Sequence, residues 1–293
     1  MDTKAYIEFL SKTTEYALEA EVWCGPKPGL VDRYNSGSHE DMDLNSFLIS
    51  ARTLRPWFAQ FMTLAAASPT DLVLPRLRAA GMAAEKSMLK ATGGANTHKG
   101  LIFSLGLVCA CMVRLSLRCE RPLTATDIPD LRDLIRLNAS GLTGELTAGA
   151  HPTHGQAVYN QYGLKGIRAE AEAGFPAVFE VGLPRLADYQ TQYSDPDLPC
   201  LMTLLELILV TGDTNLVRRG GLTGLHFMRE QSRNLLKSSP SLTPPELIQS
   251  FQRFDEAATR QNLSPGGAAD HLALTLFLER ALSPDSNSKI GAI

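Results

Sequence analysis

Residues 92–100, Thr-Gly-Gly-Ala-Asn-Thr-His-Lys-Gly, combine the residue types that bind an anion at the start of a helix. The two adjacent glycines lack a Cβ and let the backbone approach a ligand closely. Asn96 is a common helix N-cap residue, so free N–H groups and the positive end of the helix dipole should follow it. Lys99 adds a full charge there, and His98 is able to carry a proton near neutral pH. A capped helix with a solvated lysine has the same pattern, so this stretch alone predicts only a candidate phosphate site.

A second loop, residues 25–43, offers charged side chains on a stiff backbone. Its two prolines fix φ and restrict the residues that precede them. They hold in defined positions Lys27, Asp32 and Arg33. His39 and a group of acids follow, and Mg²⁺ beside phosphates typically takes one or two carboxylate ligands. We predict Asp41 as a magnesium ligand and Asp43 as the N-cap of the next helix.

Two later loops join helix ends to charged residues and glycines. Residues 212–224 place an acid after an apolar helix pattern and two arginines beside two glycines; the charged residues are Asp213, Arg218 and Arg219. Residues 264–270 place small residues at a helix start before an acid; these are Gly266, Gly267 and Asp270. Arg168 suits a phosphate, and Glu170 would pair with it or bind a sugar hydroxyl. Helix capping and surface salt bridges also account for each loop taken singly.

Known fingerprints do not account for these loops. His151 and His154 lie three residues apart and suggest zinc, but no third ligand follows at a standard spacing. The glycine spacings of the P-loop and of dinucleotide-binding folds are absent, as are kinase and hydrolase signatures. Spacing alone therefore indicates a helical enzyme with a phosphate-binding site.

The elements that must position these loops are helices. Nearly every segment has helical periodicity, and no convincing run alternates β-branched residues as a strand would. We predict an all-α fold of one domain, residues 1–293, with the loops gathered at one end. A first helix should end near Trp23, and a second, residues 47–64, should bend or break at Pro56. Further helices are predicted around 72–89, 101–113, 201–209, 247–254 and 269–277.

Composition limits the partners and the compartment. The 293 residues carry a formal net charge of −3, which gives no reason to expect nucleic acid or an anionic membrane. Five cysteines without a C-x-x-C pair indicate reduced packing residues of a cytoplasmic protein. The N-terminus lacks the pattern of a signal peptide, and the apolar run 101–113 is predicted to be too short to span a bilayer.

Five motifs stand in a fixed order along the chain. They are Pro-Lys-Pro-Gly-Leu-Val-Asp-Arg at 26–33, Gly-x-His-x-Asp-Met at 37–42, Asn-Thr-His-Lys-Gly at 96–100, Gly-Asp-Thr-Asn with Arg-Gly-Gly at 212–221, and Ser-Pro-Gly-Gly-x-Ala-Asp at 264–270. The set resembles the triphosphoribosyl-dephospho-coenzyme A synthase family over nearly the whole chain. Ala169 departs from the glycine expected between Arg168 and Glu170, which leaves the resemblance intact.

The resemblance implies a reaction between ATP and 3′-dephospho-CoA. Adenine leaves C1 of the ATP ribose, and the 2′-hydroxyl of the dephospho-CoA ribose takes its place. The product is the precursor of the prosthetic group of the citrate lyase acyl carrier subunit, or of malonate decarboxylase, and a separate transferase attaches it. Mg²⁺ is the expected cofactor.

Roles follow from this chemistry, because cleavage of an N-glycosidic bond develops oxocarbenium charge that a carboxylate stabilises. We expect Asp41 and Asp213 to bind the metal or face the sugar cation, and Asp32 or Asp270 to act as base. His98 or His39 would be the acid. The phosphates would be bound by Lys27, Arg33, Lys99, Arg168, Arg218 and Arg219. The other predicted substrate-binding residues are Asn96, Gly266 and Gly267.

Two other functions fit the same residues. A magnesium-dependent helical ADP-ribose glycohydrolase or transferase would also place acids around a ribose. A non-catalytic nucleotide-binding subunit of a lyase complex would bind ATP without turnover, although binding alone needs no surplus of acids beside the phosphates.

Overall fold

The computed structural model of the chain describes residues 1–147 and 154–283, with side chains outside 145–155. In these ranges it forms twelve α-helices and no strand, which confirms the predicted all-α class. The helices are α1 (Thr3–Trp23), α2 (Leu44–Ala66), α3 (Leu74–Ala91), α4 (Lys99–Cys119), α5 (Ile128–Ala139), α6 (His154–Tyr162), α7 (Gly166–Glu172), α8 (Leu183–Gln192), α9 (Leu198–Val210), α10 (Thr214–Ser238), α11 (Pro244–Arg260) and α12 (Gly266–Ala281). A short π-helix, Ala177–Gly182, leads into α8.

Side-chain caps define several helix starts. Asp43 accepts a hydrogen bond from the Ser46 N–H at 2.8 Å and closes a capping box at the start of α2, so its predicted capping role is confirmed. Thr243 and Glu246 form the same box at the start of α11. These caps satisfy N–H groups that the first turn leaves without helical partners.

The core is built around α4, α9 and α12. Helix α4 packs against α1, α2, α3 and α5, whereas α9 packs against α8 and α10. Helix α12 contacts both groups, since it lies against α1 and α4 as well as α9 and α10. The buried side chains form one continuous cluster. Burial of each Leu or Phe side chain in this cluster stabilises the fold by about 1.5–3 kcal/mol. Helix α12 contributes apolar side chains to the cluster and so packs the two groups of helices together.

Helix α4 extends beyond the predicted apolar run 101–113. It continues through Arg114 to Cys119, because the Arg114 guanidinium donates to the Ser68 carbonyl and the Asp71 carboxylate, both at 3.1 Å. By length and composition α4 could cross a membrane. In the described part of the chain, the only other candidate is α9 together with α10, and these two helices are bent by 70° at the break between them. The expectation that the run is too short is therefore wrong. Its most apolar window is 78% buried inside the protein, as in the core helix of a folded domain.

Two local predictions also differ from the structure. Helix α2 runs unbroken through Pro56, so the predicted break is wrong, because packing against α1, α3 and α4 holds the helix across one missing hydrogen bond. The periodicity did not resolve α5 to α8. These helices have 7–12 residues, which is too short for a clear periodic pattern.

The exposed position of Pro56 inside α2 leads to a first prediction. Pro56→Ala supplies an N–H that can bond to the Arg52 carbonyl, so the folded state gains a helical hydrogen bond and loses a steric clash. The freer unfolded chain offsets part of the gain. We expect the free energy of unfolding to rise by about 2 kcal/mol, measured by urea denaturation.

Gln60→Ala, at another exposed position of α2, is the control and should change stability by less than about 0.5 kcal/mol. A Pro56→Ala protein no more stable than this control would show that the proline is fully accommodated.

Candidate active site

The starts of α4, α10 and α12 lie side by side. A Cβ on Gly100 would lie 1.9 Å from Oδ2 of Asp270. Helix α4 therefore approaches α12 so closely that only glycine fits at position 100. The carboxylate of Asp213 joins α10 to α12. A Cβ on Gly166, at the start of α7, would lie 2.8 Å from Cγ2 of Thr214. The structure thus brings parts of the predicted loops 92–100, 212–224 and 264–270 together and directs three sets of helix N–H groups to one region.

Asp213 is the N-cap of two helices at once. Its Oδ1 accepts from the N–H groups of Asn215 at 3.0 Å and Leu216 at 2.9 Å in α10. Its Oδ2 accepts from Gly267 at 2.7 Å and Ala268 at 3.2 Å in α12. Burial raises the pKa of Asp213, and the four backbone N–H groups oppose that rise.

This geometry gives Asp213 a structural function. A carboxylate offers about four lone-pair positions, and here four backbone donors occupy them. The side chain is 3% exposed. Neither the metal role nor the sugar-cation role predicted for Asp213 has an available oxygen in this arrangement.

Asp270 is in the opposite situation. It is half-buried in the first turns of α12, and no hydrogen bond or ion pair from the described residues reaches its carboxylate. Burial raises its pKa well above the usual range, and the nearby carboxylates of Asp213 and Glu21 raise it further. A carboxyl group with a raised pKa and oxygens free of partners from the described residues is a candidate general base.

Asp32 organises the loop between α1 and α2. Its Oδ2 accepts from the Lys27 N–H at 2.7 Å, and its Oδ1 accepts from the N–H groups of Tyr34 at 2.7 Å and Asn35 at 3.2 Å. The side chain is buried. The structure therefore places this candidate base as a loop-forming residue, with its oxygens engaged by backbone.

The same loop is anchored to α11 by a residue that the sequence did not indicate. Asp255 accepts from the Gly29 N–H at 2.8 Å and from the Asn35 side-chain amide at 2.9 Å. Gly29 has φ +69°, and a Cβ there would lie 2.0 Å from the Leu263 carbonyl oxygen. Only glycine fits this crossing of the loop and the chain that leads to α12.

Two predicted phosphate ligands are neutralised by carboxylates of the protein, Lys27 in the interior and Arg33 at the surface. Lys27 is 1% exposed, and its ammonium group donates to the Glu21 carbonyl at 2.7 Å and to the Glu21 carboxylate. Arg33 pairs with Asp197 through both terminal nitrogens and donates to the Tyr34 hydroxyl at 2.8 Å. The sequence did not indicate these two partners. Glu21 lies within the pattern of the first helix, and Asp197 lies far along the chain from Arg33.

His39 and Arg219 form one network at the start of α12. Arg219 donates to Nδ1 of His39 at 3.1 Å, to the Ser38 carbonyl at 2.8 Å and to the Asn262 side chain at 2.6 Å. Because a guanidinium only donates, Nδ1 accepts, and the proton of His39 resides on Nε2, 2.9 Å from Oγ of Ser264. Burial and the charge of Arg219 lower the pKa of His39, so this network holds a neutral imidazole.

The cations that remain open to solvent are fewer than predicted. Arg218 is exposed on α10, and Lys99 is 58% exposed with an ion pair to Glu85 at 2.5 Å. Arg168 is half-buried on α7. Asn96 is exposed, and Gly266 and Gly267 form the first turn of α12. Asp41, 66% exposed, lies 3.7 Å from the His39 imidazole.

His98 is buried at the start of α4, with 2% exposure. Burial lowers its pKa to about 3, and the charge of Lys27 contributes. A group with this pKa is almost entirely neutral at pH 7, so the structure does not support an imidazolium acid here.

His271 is a second buried imidazole, and the sequence motifs did not indicate a role for it. It lies 3.0 Å from the hydroxyl of Thr211 through Nδ1, and burial lowers its pKa to about 4. Its position next to Asp270 in the sequence is the signal that could have identified it.

No group of three or more His, Cys, Asp or Glu side chains within the described ranges could by itself hold a metal ion. The residues 149–153 and the His154 side chain, which carried the zinc alternative, lie outside the described residues.

The family model described as ATP:dephospho-CoA triphosphoribosyl transferase (CitG) matches residues 7–289. The chain belongs to this family. It is therefore a transferase that acts on ATP and dephospho-CoA, in keeping with the resemblance seen in the five motifs. No solved structure matches the chain at a significant level.

The double cap of this transferase leads to a second prediction. In Asp213→Asn the amide NH₂ must face two of the four backbone N–H donors, which would leave those donors buried without an acceptor. We expect a loss of about 3 kcal/mol in the free energy of unfolding, measured by urea denaturation.

Asp43→Asn is the matched control, since Asp43 is an exposed single cap whose Oδ1 accepts both bonds from Ser46. Asparagine caps about as well as aspartate there, and stability should barely change. Equal stability of the two variants would argue against the double cap.

A third prediction concerns acid. The folded pKa of His271 lies below its usual 6.5, so its neutral form stabilises the fold above pH 6.5, and this contribution is lost as the pH falls towards about 4. Between pH 7 and 5.5 wild-type protein should lose about 1.4 kcal/mol more than His271→Asn, measured by denaturation at both values. His226→Asn, at an exposed position of α10, should keep the wild-type dependence, and an identical slope in all three proteins would refute a buried neutral His271.

Proposed function

We propose that this protein transfers the triphosphoribosyl group of ATP to the 2′-hydroxyl of 3′-dephospho-CoA and releases adenine. The observation that carries the proposal is Asp270, a half-buried carboxylate with a raised pKa at the junction of three helix starts. The helix N–H groups and nearby cations suit the phosphates of both substrates, and the carboxylate suits the ribose between them.

In the proposed step, the oxygen of the 2′-hydroxyl forms a bond to C1 of the ATP ribose as the bond from C1 to adenine N9 breaks. Asp270 accepts the proton of the hydroxyl, and adenine leaves with the bonding electron pair and takes up a proton from water. Asp270 then releases its own proton to water, which balances the step. The negative charge of Asp270 also stabilises positive charge that develops on the ribose. All three phosphates stay on the transferred group.

The phosphate sites follow from the cations that remain exposed to solvent. Arg218 is exposed near His39 and Arg219, and Lys99, which pairs with Glu85 at the surface, is 58% exposed at the start of α4. Both project from helix starts, where the dipole adds to the attraction of an anion. We assign the triphosphate of ATP and the diphosphate of dephospho-CoA to this rim.

Mg²⁺ fits the donor set as a companion of the phosphates. Such a metal keeps several waters and needs only one or two protein carboxylates, and Asp41 is an exposed carboxylate beside the Arg218–Arg219 pair. Bound there, the metal would neutralise charge on the triphosphate. Asp213 has no oxygen left for this purpose.

The biological setting is part of the proposal. The product would serve as precursor of the prosthetic group of a lyase or decarboxylase acyl carrier protein, citrate lyase or malonate decarboxylase, after attachment by a separate transferase. We expect the reaction to take place in the cytoplasm, without nucleic acid or a membrane as partner.

The test is to incubate the pure protein with ATP, Mg²⁺ and dephospho-CoA and to separate the products by chromatography. Free adenine should appear in equal amount to the condensed product, without phosphate or ADP. A glycohydrolase would release a base without consuming dephospho-CoA, and a binding subunit would release nothing. Stoichiometric phosphate or ADP would refute the transfer at C1.

Asp270→Asn provides a fourth prediction. Turnover should fall by a factor on the order of 10² or more, because the base and the negative charge are lost together. The folded pKa of Asp270 is raised, so its ionised form destabilises the fold as the pH rises above the usual pKa, and the variant should melt at a higher temperature at pH 8. Asp133→Asn, an exposed carboxylate on α5, should change neither property. An active Asp270→Asn protein would exclude Asp270 as the base.

A further inference from the structure

A chain of hydrogen bonds from two hydroxyl groups ends on His98. The hydroxyl of Thr97 donates to Oγ of Ser50 at 2.8 Å, and Oγ of Ser50 lies 2.7 Å from Nδ1 of His98. Ser50 belongs to α2 and is fully buried, whereas the other two residues stand at the start of α4. The chain therefore ties the orientation of the imidazole to a second helix.

The position of each proton follows from these contacts. Oγ of Ser50 accepts the hydrogen bond from Thr97. Among the described residues, the one remaining polar neighbour to which the Ser50 hydroxyl can donate is Nδ1 of His98. Nδ1 is then an acceptor, and a neutral imidazole with an acceptor Nδ1 carries its proton on Nε2. The hydroxyl chain thus selects one tautomer of His98.

The Nε2–H of His98 is buried, and no partner in the described part of the chain reaches it. A buried donor without an acceptor costs free energy, and such groups in folded proteins call for a specific explanation. His98 lies two residues before Gly100, where α4 touches Asp270, and within the electrostatic reach of Lys27. A polar atom of a bound substrate at this junction would satisfy the donor.

We propose that Ser50 is a positioning residue of the transferase. With Thr97 it holds the neutral His98 imidazole so that the Nε2–H donates to an acceptor nitrogen of the ATP adenine. This inference rests on the proposed function, because adenine gains electron density as its bond to the ribose breaks and a fixed donor then binds it more strongly. His98 acts by donating a hydrogen bond and keeps its proton while adenine leaves.

The ring of Phe47 supports the same orientation. It packs edge-on against His98 with ring centroids 4.9 Å apart, from the α2 turn that precedes Ser50. Helix α2 thus contacts the imidazole through a ring and a hydroxyl, which leaves little freedom for a ring flip.

The first experiment reads the tautomer directly. In protein with ¹⁵N-labelled histidine, two-bond nitrogen–proton spectra distinguish Nε2–H from Nδ1–H, and the six histidines are assigned with single variants. Wild-type His98 should show the Nε2–H tautomer at pH 7, and ATP with Mg²⁺ should shift that proton. In Ser50→Ala and Thr97→Val the His98 signal should move towards a mixture of tautomers, and the His271 signal should stay where it is.

The second experiment measures turnover in the same variants. Ser50→Ala should lower kcat by a factor on the order of 10–100, as loss of an orienting hydrogen bond does for imidazole ligands at metal sites, with little change in KM for ATP. Ser50→Thr keeps the hydroxyl and should retain most of the rate if the added methyl group is accommodated. Thr63→Ala, a hydroxyl on the exposed face of α2, is the matched control and should leave kcat unchanged.

The outcomes separate this inference from the proposed function. A wild-type protein that releases no adenine refutes the function, while the tautomer of His98 is still measured. An active protein with an Nδ1–H or charged His98, or with a His98 proton insensitive to ATP, overturns the inference. So does a Ser50→Ala protein that loses the tautomer and keeps full kcat.

Discussion

The buried carboxylate of Asp213, shared between the starts of α10 and α12, is the interaction on which the rest of the site depends. Its four backbone hydrogen bonds hold two helix N-termini together where their like dipole ends would repel each other. One full negative charge between two partial positive ends offsets that repulsion. The cap therefore also places two residues of the candidate site, because Asp270 lies in the next turn of α12 and the exposed Arg218 in the next turn of α10.

A second constraint is the distribution of charge. Lys27 and Arg33 look like phosphate ligands in the sequence, yet each is matched by a carboxylate inside the protein, Glu21 and Asp197. Buried charges persist only when they are paired, which explains the partner of the buried Lys27. The Arg33–Asp197 pair likewise leaves Arg33 with less charge to offer a phosphate. Asp270 is left without such a cation, and burial raises its pKa well above the usual range, with a further rise from the nearby carboxylates of Asp213 and Glu21. Carboxylates that look alike in the sequence thus divide into those that hold loops and one that can accept a proton.

The histidines near the site share a third feature. His39 accepts from a guanidinium, and His98 accepts from a hydroxyl that is itself fixed by another. Both are shielded from water, which disfavours the charged ring. The candidate site therefore contains oriented neutral imidazoles, which would suit the proposed reaction, because its leaving group needs a well-placed donor.

The sequence by itself determined the all-α class, the capping function of Asp43 and the loops that form the site, because periodicity, cap residues and glycine-rich turns are local properties. It also determined the family, through five motifs in order. Only the tertiary structure decided what each charged residue does. Asp213 and Asp270 both stand near a helix start in the sequence, and their difference arises from α12 packing against α10 on one side and α4 on the other. Ser50 carries no motif, and its contact with His98 exists because α2 and α4 pack together across 48 residues of chain. Hydrogen-bond partners and desolvation depend on such distant neighbours, which local patterns do not encode.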